Sequence, residues 1–195
     1  GLLKGAMLGL GGRWVGGKTQ GFRFGKRVDV AAAVAQAIAT GKITNEPREE
    51  DFVASPRPVA ERVVELAQIK PCDRVLEPSA GRGAIADAVL AAEPLVELVL
   101  CEKLEDNREA LAAKGYEDAL VEERDFMRAD LGEFDVVVMN PPFKDEIARV
   151  TSAHGMLRAG GRLVSVMSGR ITFRQDAKTA AFRAWVKEHG GTFED

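Results

Sequence analysis

The sequence predicts an α/β fold in which a mostly parallel β-sheet is covered by helices on both faces. Short apolar segments alternate with segments of helical spacing along residues 56–188. The strand candidates are strongly apolar, as in residues 134–139, where Asp135 is the one polar residue, and this is typical of strands buried on both faces. Because the strands are joined through helices, their carboxyl ends meet at one edge of the sheet, where such folds bind ligands.

The first 48 residues differ in composition and are predicted to form a small basic module. They contain eight basic and two acidic residues and are Gly-rich at the start. Residues 13–15 and 21–24 are predicted strands around a turn at 16–20, and residues 30–39 are a predicted helix that ends at Gly41. The polar segment 42–55 is a predicted linker.

The second domain, residues 49–195, alternates helix and strand. Its first helix is predicted to start at Pro56 or Pro58 and to run to residue 69, with Ser55 as a possible cap. Strands are predicted at residues 74–76, 95–101, 134–139 and 162–167, and a further short strand begins at residues 119–121 and runs towards Asp125. The other helices are predicted at residues 82–92, 105–114, 147–157 and 176–188, and Gly160 and Gly161 form a predicted turn.

Composition excludes several classes of protein. The net charge of −3 is unevenly distributed along the chain. Residues 49–143 carry −12, whereas residues 1–48 carry +6 and residues 144–195 carry +3. No apolar run approaches the roughly 20 residues of a membrane span. Cys72 and Cys101 form no disulfide framework or metal pattern. The expectation is a cytoplasmic protein without a membrane partner or metal, and its oligomeric state is not indicated.

The loop after the first predicted sheet strand, residues 77–86, has the composition of a nucleotide-binding turn. Gly81 and Gly83 allow a tight turn and a close approach of the backbone to a ligand. Gly81, Gly83 and Ala86 fit the dinucleotide fingerprint, and Glu102 stands where its ribose-binding acid would be. A nicotinamide or flavin oxidoreductase is therefore one alternative.

Glu77 favours a different nucleoside ligand. Its carboxylate precedes the glycines and would repel a pyrophosphate on this loop, whereas it would suit a ligand with a cationic amino-acid portion. S-adenosylmethionine carries an ammonium and a sulfonium, and its ribose hydroxyls could use Glu102 as a bidentate acceptor.

The loop after the predicted strand 134–139 reads Asn140-Pro141-Pro142-Phe143. The prolines lack backbone donors and stiffen the turn, while their carbonyls still accept hydrogen bonds. Asn140 adds a side-chain acceptor and Phe143 a flat apolar face. Two acceptors beside a stacking surface predict a planar substrate with an exocyclic amino group.

Residues 12–19 match the Walker A pattern, but this motif needs a helix after it. The residues that follow are predicted as a strand, so nucleotide hydrolysis at this turn is disfavoured.

The combination of Glu-Pro-Ser-Ala-Gly-Arg-Gly and Asn-Pro-Pro-Phe resembles the class I S-adenosylmethionine (SAM)-dependent methyltransferases that methylate amino nitrogens. Within them the chain most resembles the phage- and plasmid-type DNA adenine N6-methyltransferases, over about residues 52–189. The resemblance implies a Rossmann-like domain, with SAM as the cofactor and DNA as the partner. It also implies that residues 49–195 lack the C-terminal strands of the domain.

The resemblance assigns roles to residues of this chain. The loop Glu77, Pro78, Ser79, Ala80, Gly81 and Gly83 would surround the methionine part of SAM, Glu102 would bind its ribose, and Asp125 and Phe126 would flank its adenine. Asn140, Pro141, Pro142 and Phe143 would form the catalytic motif, with Asn140 and the Pro141 carbonyl on the target amino group and Phe143 on the base. Further substrate contacts are predicted at Ser55, Pro56, Lys18, Arg170 and Arg174.

Three alternatives stay open at this point. A protein glutamine N5-methyltransferase would use the same acceptors, although that family usually has Tyr at the position of Phe143. An RNA base N-methyltransferase would need the same site chemistry. A non-catalytic subunit that binds SAM or DNA would not need the intact Asn140–Phe143 motif.

Overall fold

The computed structural model describes residues 13–15, 21–23, 55–121 and 125–194. The chain divides into two compact units, Gly1–Glu50 and Asp51–Asp195. The predicted helix at residues 30–39 and Lys18 lie outside the described residues. The predicted domain boundary after residue 48 stays a prediction.

The first unit contains an antiparallel pair of strands, β1 (Arg13–Val15) and β2 (Gly21–Arg23). The hairpin predicted from the Gly-rich turn is confirmed over these residues. Because a strand follows the Walker-like turn where a phosphate-binding loop needs a helix, the Walker A reading is excluded.

Four parallel strands form the sheet of the second unit, in the order β4-β3-β5-β6. They are β3 (Arg74–Glu77), β4 (Glu97–Leu100), β5 (Phe134–Met139) and β6 (Leu157–Ser165). The predicted parallel sheet is therefore confirmed. The segment predicted as a strand at 119–121 instead contributes one isolated parallel bridge, from Leu120 to Leu100, after a 3₁₀ turn at Glu117–Ala119.

Helices of the second unit cover both faces of this sheet. They are α1 (Arg57–Ala67), α2 (Ala84–Ala92), α3 (Glu105–Ala112), α4 (Glu146–His154), α5 (Arg170–Phe173) and α6 (Ala177–Glu188). Val136 and Val138 pack with α1 and α2 on one face, whereas Val137 and Met139 pack with α4, α5 and α6 on the other. Residues 136–139 of β5 form a continuous apolar run because both faces of the strand are buried there.

Other local predictions also differ from the structure, and the helix predicted to reach residue 157 ends at His154. Ser55 is not a side-chain cap, because α1 starts after Pro56 without a capping side-chain hydrogen bond. Strand β6 starts at Leu157, before the predicted turn at residues 160–161. Its pairing with β5 shifts from Leu157 to Arg162, and Gly160 has a φ of 80°, so the predicted turn is an irregularity inside a longer strand.

No helix in the described part of the chain is both long and apolar enough to cross a bilayer. Over the same residues, no group of three or more His, Cys, Asp or Glu side chains could hold a metal ion.

Candidate active site

The two loops singled out in the sequence leave the same edge of the sheet. Strands β3 and β5 are parallel neighbours, with Leu76 opposite Val137. Glu77 ends β3, and Asn140 directly follows β5. The loop after β4 joins the first of these loops at the same edge, since the Ala80 N–H donates to the Cys101 carbonyl at 3.0 Å.

Glu102 fixes the conformation of the glycine loop. One carboxylate oxygen accepts from the Gly81 N–H and the other from the Leu104 N–H, each at 2.7 Å, and the side chain is buried. An ionised carboxylate has about four acceptor positions, so two remain for a ligand's hydroxyl groups. The ribose contact predicted for Glu102 stays a proposal.

Glu77 is a carboxyl group buried below this loop. Its residue is 2% exposed, and its Oε2 atom has no hydrogen-bond partner among the described residues. Burial raises the pKa of Glu77 well above its usual value, and the Asp87 and Glu102 carboxylates add to this, although the Ala86 N–H and Lys114 oppose it. A buried acceptor without a partner is costly, so this site favours a ligand that brings a positive charge or a donor.

The predicted role of Gly83 has a packing cause as well as a conformational one. Gly83 has a φ of 81°, and a Cβ atom there would lie 2.8 Å from Leu111 Cδ2. The close approach that requires glycine is thus to α3. Gly81 also lies in the left-handed region, with a φ of 54°.

We expect Gly83→Ala to lower the free energy of unfolding by about 2–4 kcal/mol, because left-handed strain adds to overpacking against Leu111. Gly115→Ala is the matched control: its φ is 87°, but nothing lies within 4 Å of a Cβ there. That variant should lose only about 1–2 kcal/mol from strain. Urea unfolding measures both, and equal losses would contradict the packing role of Gly83.

The two residues predicted to flank the adenine of SAM, Asp125 and Phe126, differ in burial. Asp125 is half-buried, and its Oδ1 accepts from the Met127 N–H at 3.2 Å. Phe126 is 1% exposed and packs in the core with Leu76 and Phe134. Only Asp125 is therefore still proposed to contact the adenine, because core side chains already enclose the Phe126 ring.

The Asn140 amide is oriented by a residue 85 positions earlier in the chain. Its Nδ2 donates to the Ser55 hydroxyl at 3.0 Å. The amide nitrogen of Asn140 therefore faces Ser55, and the side-chain oxygen faces away from it. Of the following residues, Pro141 is buried, Pro142 is half-buried, and Phe143 is 38% exposed.

Glu146 and Arg170, which were not predicted to pair, form a charged brace that holds this loop. Glu146 is 2% exposed, and its carboxylate accepts from the Ser168 N–H at 2.7 Å and the Ser168 hydroxyl at 2.6 Å. Arg170 pairs with the same carboxylate at 3.2 Å and donates to the Phe143 carbonyl. The segment after β6 therefore supports the segment after β5. Only the position of Glu146 three residues after Phe143 could have suggested this.

The remaining residues that were predicted to contact substrate or cofactor differ in exposure and in their partners. Arg170 contacts Glu146 and the Phe143 carbonyl and so supports the loop, and its predicted substrate contact stays a prediction. Arg174 is more exposed, with an ion pair to Asp176 at 3.3 Å. Pro56 is exposed at the start of α1, beside Ser55. Pro78 and Ala80 are buried in the glycine loop, and Ser79 is half-buried.

These residues fit the cationic methionine part of SAM at one end and a nucleoside at the other. The unpartnered Oε2 of Glu77 is the observation that tests this fit, because it is a buried acceptor that a bound ammonium would satisfy. The Gly81–Gly83 turn, held by Glu102, is the loop over which the rest of the ligand would lie.

Relatives of known structure share this fold. The M protein of the type I restriction enzyme EcoKI aligns with a TM-score of 0.59 and 15% identity, over 82% of this chain and 45% of that one. TrmN from Thermus thermophilus aligns with a TM-score of 0.53 and 21% identity, over 84% of this chain and 48% of that one. At these identities the likeness shows the fold, a Rossmann-like class I methyltransferase.

Curated relatives match by sequence over part of their length. Ribosomal RNA small subunit methyltransferase C of Citrobacter koseri is 34% identical over 112 residues, which are 51% of this chain and 32% of the relative. The protein of that name from Cronobacter sakazakii is 32% identical over the same shares. The chain thus matches about a third of the length of these relatives.

A family model covers most of the second unit. The methyltransferase small domain matches residues 62–188, which include the glycine loop, Glu102, the Asn140–Phe143 loop and its brace. This span exceeds half of the chain and agrees with the fold and with the fit to SAM. The chain belongs to the methyltransferase small domain family.

Proposed function

We propose that this chain transfers the methyl group of SAM to an exocyclic amino nitrogen of a nucleic-acid base, and specifically to adenine N6 in DNA. The observation that carries the proposal is the orientation of Asn140, whose Nδ2 is bonded to Ser55 beside the rigid Pro141-Pro142 turn. This arrangement suits an amino group that donates two hydrogen bonds. The exposed Phe143 ring supplies a stacking face on the same loop.

The division of labour between the two loops follows from their chemistry. When bound, SAM supplies a methyl group on a positively charged sulfur. Glu77 and Glu102 position and orient that cofactor. Asn140 and the Pro141 carbonyl would accept hydrogen bonds from the two N–H groups of the target amino group, which draws the nitrogen lone pair out of conjugation with the ring. As the nitrogen–carbon bond forms, the methyl–sulfur bond would break, the neutral thioether would leave, and one amino proton would pass to water. Positioning and electrostatics supply the catalysis, so a strong general base is not needed.

DNA is proposed because the two motifs resemble those of DNA adenine N6-methyltransferases and because Phe rather than Tyr follows the prolines. A base inside a duplex would have to be flipped out to reach the Asn140–Phe143 loop. A second candidate is an RNA base, which is favoured by the 34% identity to the ribosomal RNA methyltransferase over 51% of this chain.

The test is methyl transfer from tritiated SAM to unmethylated DNA, RNA and protein, followed by nucleoside mass spectrometry of the labelled product. We expect label on DNA as N6-methyladenine. Label on RNA alone would replace the proposal by the second candidate. Label on glutamine of a protein alone, or SAM binding without transfer to any substrate, would contradict methylation of nucleic acid.

A further inference from the structure

Phe173 exposes a large apolar ring at the sheet edge that carries the two functional loops. It is 68% exposed, at the end of α5. Only Leu95, at 67%, is comparably exposed among the large apolar side chains of the described residues, and Leu95 lies at the opposite edge, before β4. Covering this exposed ring with a partner would remove apolar surface from water and so favour binding.

The turn that presents Phe173 is anchored on both sides. Ile171 is 3% exposed and packs into the core beside Phe182. The Arg183 guanidinium donates to the Ile171 carbonyl at 2.8 Å and to the Arg174 carbonyl at 2.7 Å. The ring is thus held out from a fixed backbone, so little order has to be gained when it binds a partner.

The Glu146 brace connects this turn to the proposed target loop. Arg170, the first residue of α5, contacts both Glu146 and the Phe143 carbonyl. Phe173 is the last residue of the same helical turn, and Phe143 is itself 38% exposed. Two exposed aromatic rings therefore lie on segments that one arginine joins.

The segments that carry the two rings also carry exposed cations. Lys144, which follows Phe143, and Lys178, in the first turn of α6, are exposed, and the Arg174 side chain is 57% exposed. Exposed acids on these segments are Asp145 and Asp176, and Asp176 already pairs with Arg174 and caps α6. Aromatic rings interspersed with cations form the typical surface for unstacked bases and their phosphates.

We propose that Phe173 stacks on a base adjacent to the target nucleotide and so holds the strand in an unstacked conformation over the Asn140–Phe143 loop. Arg174 and Lys178 contact the neighbouring phosphates. This inference rests on the proposed function, because it requires a nucleic-acid substrate. It adds a specific base contact outside the methyl-transfer pocket.

The test compares the wild type with Phe173→Ala, Phe173→Trp and the control Leu95→Ala. We expect Phe173→Ala to raise the KM for DNA and the Kd for fluorescein-labelled single-stranded DNA by about 5- to 100-fold, in line with the loss of one base–aromatic stack. The KM for SAM should not change. Phe173→Trp should restore DNA binding, and Leu95→Ala should match the wild type.

The salt dependence distinguishes stacking from phosphate contact. In a plot of log Kd against log salt concentration, Phe173→Ala should shift the line without changing its slope, whereas Arg174→Gln should reduce the slope. If the wild type methylates nucleic acid but Phe173→Ala leaves both the KM and the Kd unchanged, the inference is wrong. If the wild type neither binds nor methylates nucleic acid, the proposed function itself fails.

Discussion

Glu77→Gln should weaken SAM binding by on the order of 10- to 100-fold and, at the same time, stabilise the fold at neutral pH. The loss of affinity follows from replacing a charge-assisted contact to the cationic methionine part by a neutral one. The gain in stability follows because Glu77 is buried with an unpartnered Oε2 atom, so at neutral pH the folded protein must either hold the proton on this carboxyl group or bury its charge, and both cost free energy. Isothermal titration with SAM and thermal unfolding of the ligand-free protein measure the two effects.

The pH dependence of this pair of effects has a defined sign. The pKa of Glu77 is raised in the folded state, mainly by desolvation, so the native state holds this proton more tightly than the unfolded chain. The wild type should therefore lose stability relative to Glu77→Gln as the pH rises from the unfolded value, about 4.3, through the folded pKa. At pH 4 the two proteins should unfold at similar temperatures. Each kcal/mol of difference at higher pH corresponds to roughly 2–4 °C in Tm.

The affinity of the wild type for SAM should rise with pH, whereas its stability relative to Glu77→Gln falls. Because the ionised carboxylate is the form that pairs with a cation, SAM binding to the wild type should strengthen as the pH rises and Glu77 loses its proton. Glu77→Gln should lack this rise. Weakened binding together with reduced stability at pH 7 would instead mean that the carboxylate is a structural group.

Asn140→Ala should lower kcat for methyl transfer by on the order of 100- to 1,000-fold, as expected when an oriented polar group at the reacting atom is removed. The Kd for SAM should remain unchanged, because Asn140 follows β5 whereas the proposed cofactor groups follow β3 and β4. A single-turnover assay with saturating SAM separates the chemical step from binding. Unchanged turnover would remove Asn140 from the site.

Ser55→Ala perturbs the same hydrogen bond more mildly than Asn140→Ala does. It removes the acceptor of the Asn140 Nδ2 at 3.0 Å but leaves the amide itself in place. We expect a smaller loss of kcat, about 10-fold, which corresponds to roughly one hydrogen bond of 1.4 kcal/mol. A loss in Ser55→Ala equal to that in Asn140→Ala would mean that Ser55 itself contacts the substrate.

The elements that the sequence predicted best are those with a strong local pattern. Strand β5 was predicted with both of its bounds, because six consecutive residues suit a strand buried on both faces. The antiparallel hairpin in the first unit was predicted from turn-forming residues between two short segments of high β-propensity. Helix bounds were less accurate, since helix ends depend on capping contacts and α1, for example, ends two residues earlier than predicted.

Contacts between distant segments were not predicted. Ser55 was interpreted as a helix cap because Ser commonly precedes helices, but its hydroxyl accepts from Asn140 instead. Arg170 was predicted only as a substrate contact, and its ion pair with the buried Glu146 was not foreseen. No local pattern carries this information, because each contact depends on which loops the sheet order brings together.

The sequence by itself determined the alternation of strands and helices, the parallel sheet and the two loops at its carboxyl edge, since these follow from local hydrophobic periodicity and from backbone-restricting Gly and Pro. Only the tertiary structure decided that Glu102 clamps the glycine loop, that Glu77 keeps a buried unpartnered oxygen, and that Glu146 and Arg170 brace the Asn140–Phe143 loop. The physical reason is burial: the protonation and partners of a charged side chain depend on which groups the fold encloses with it.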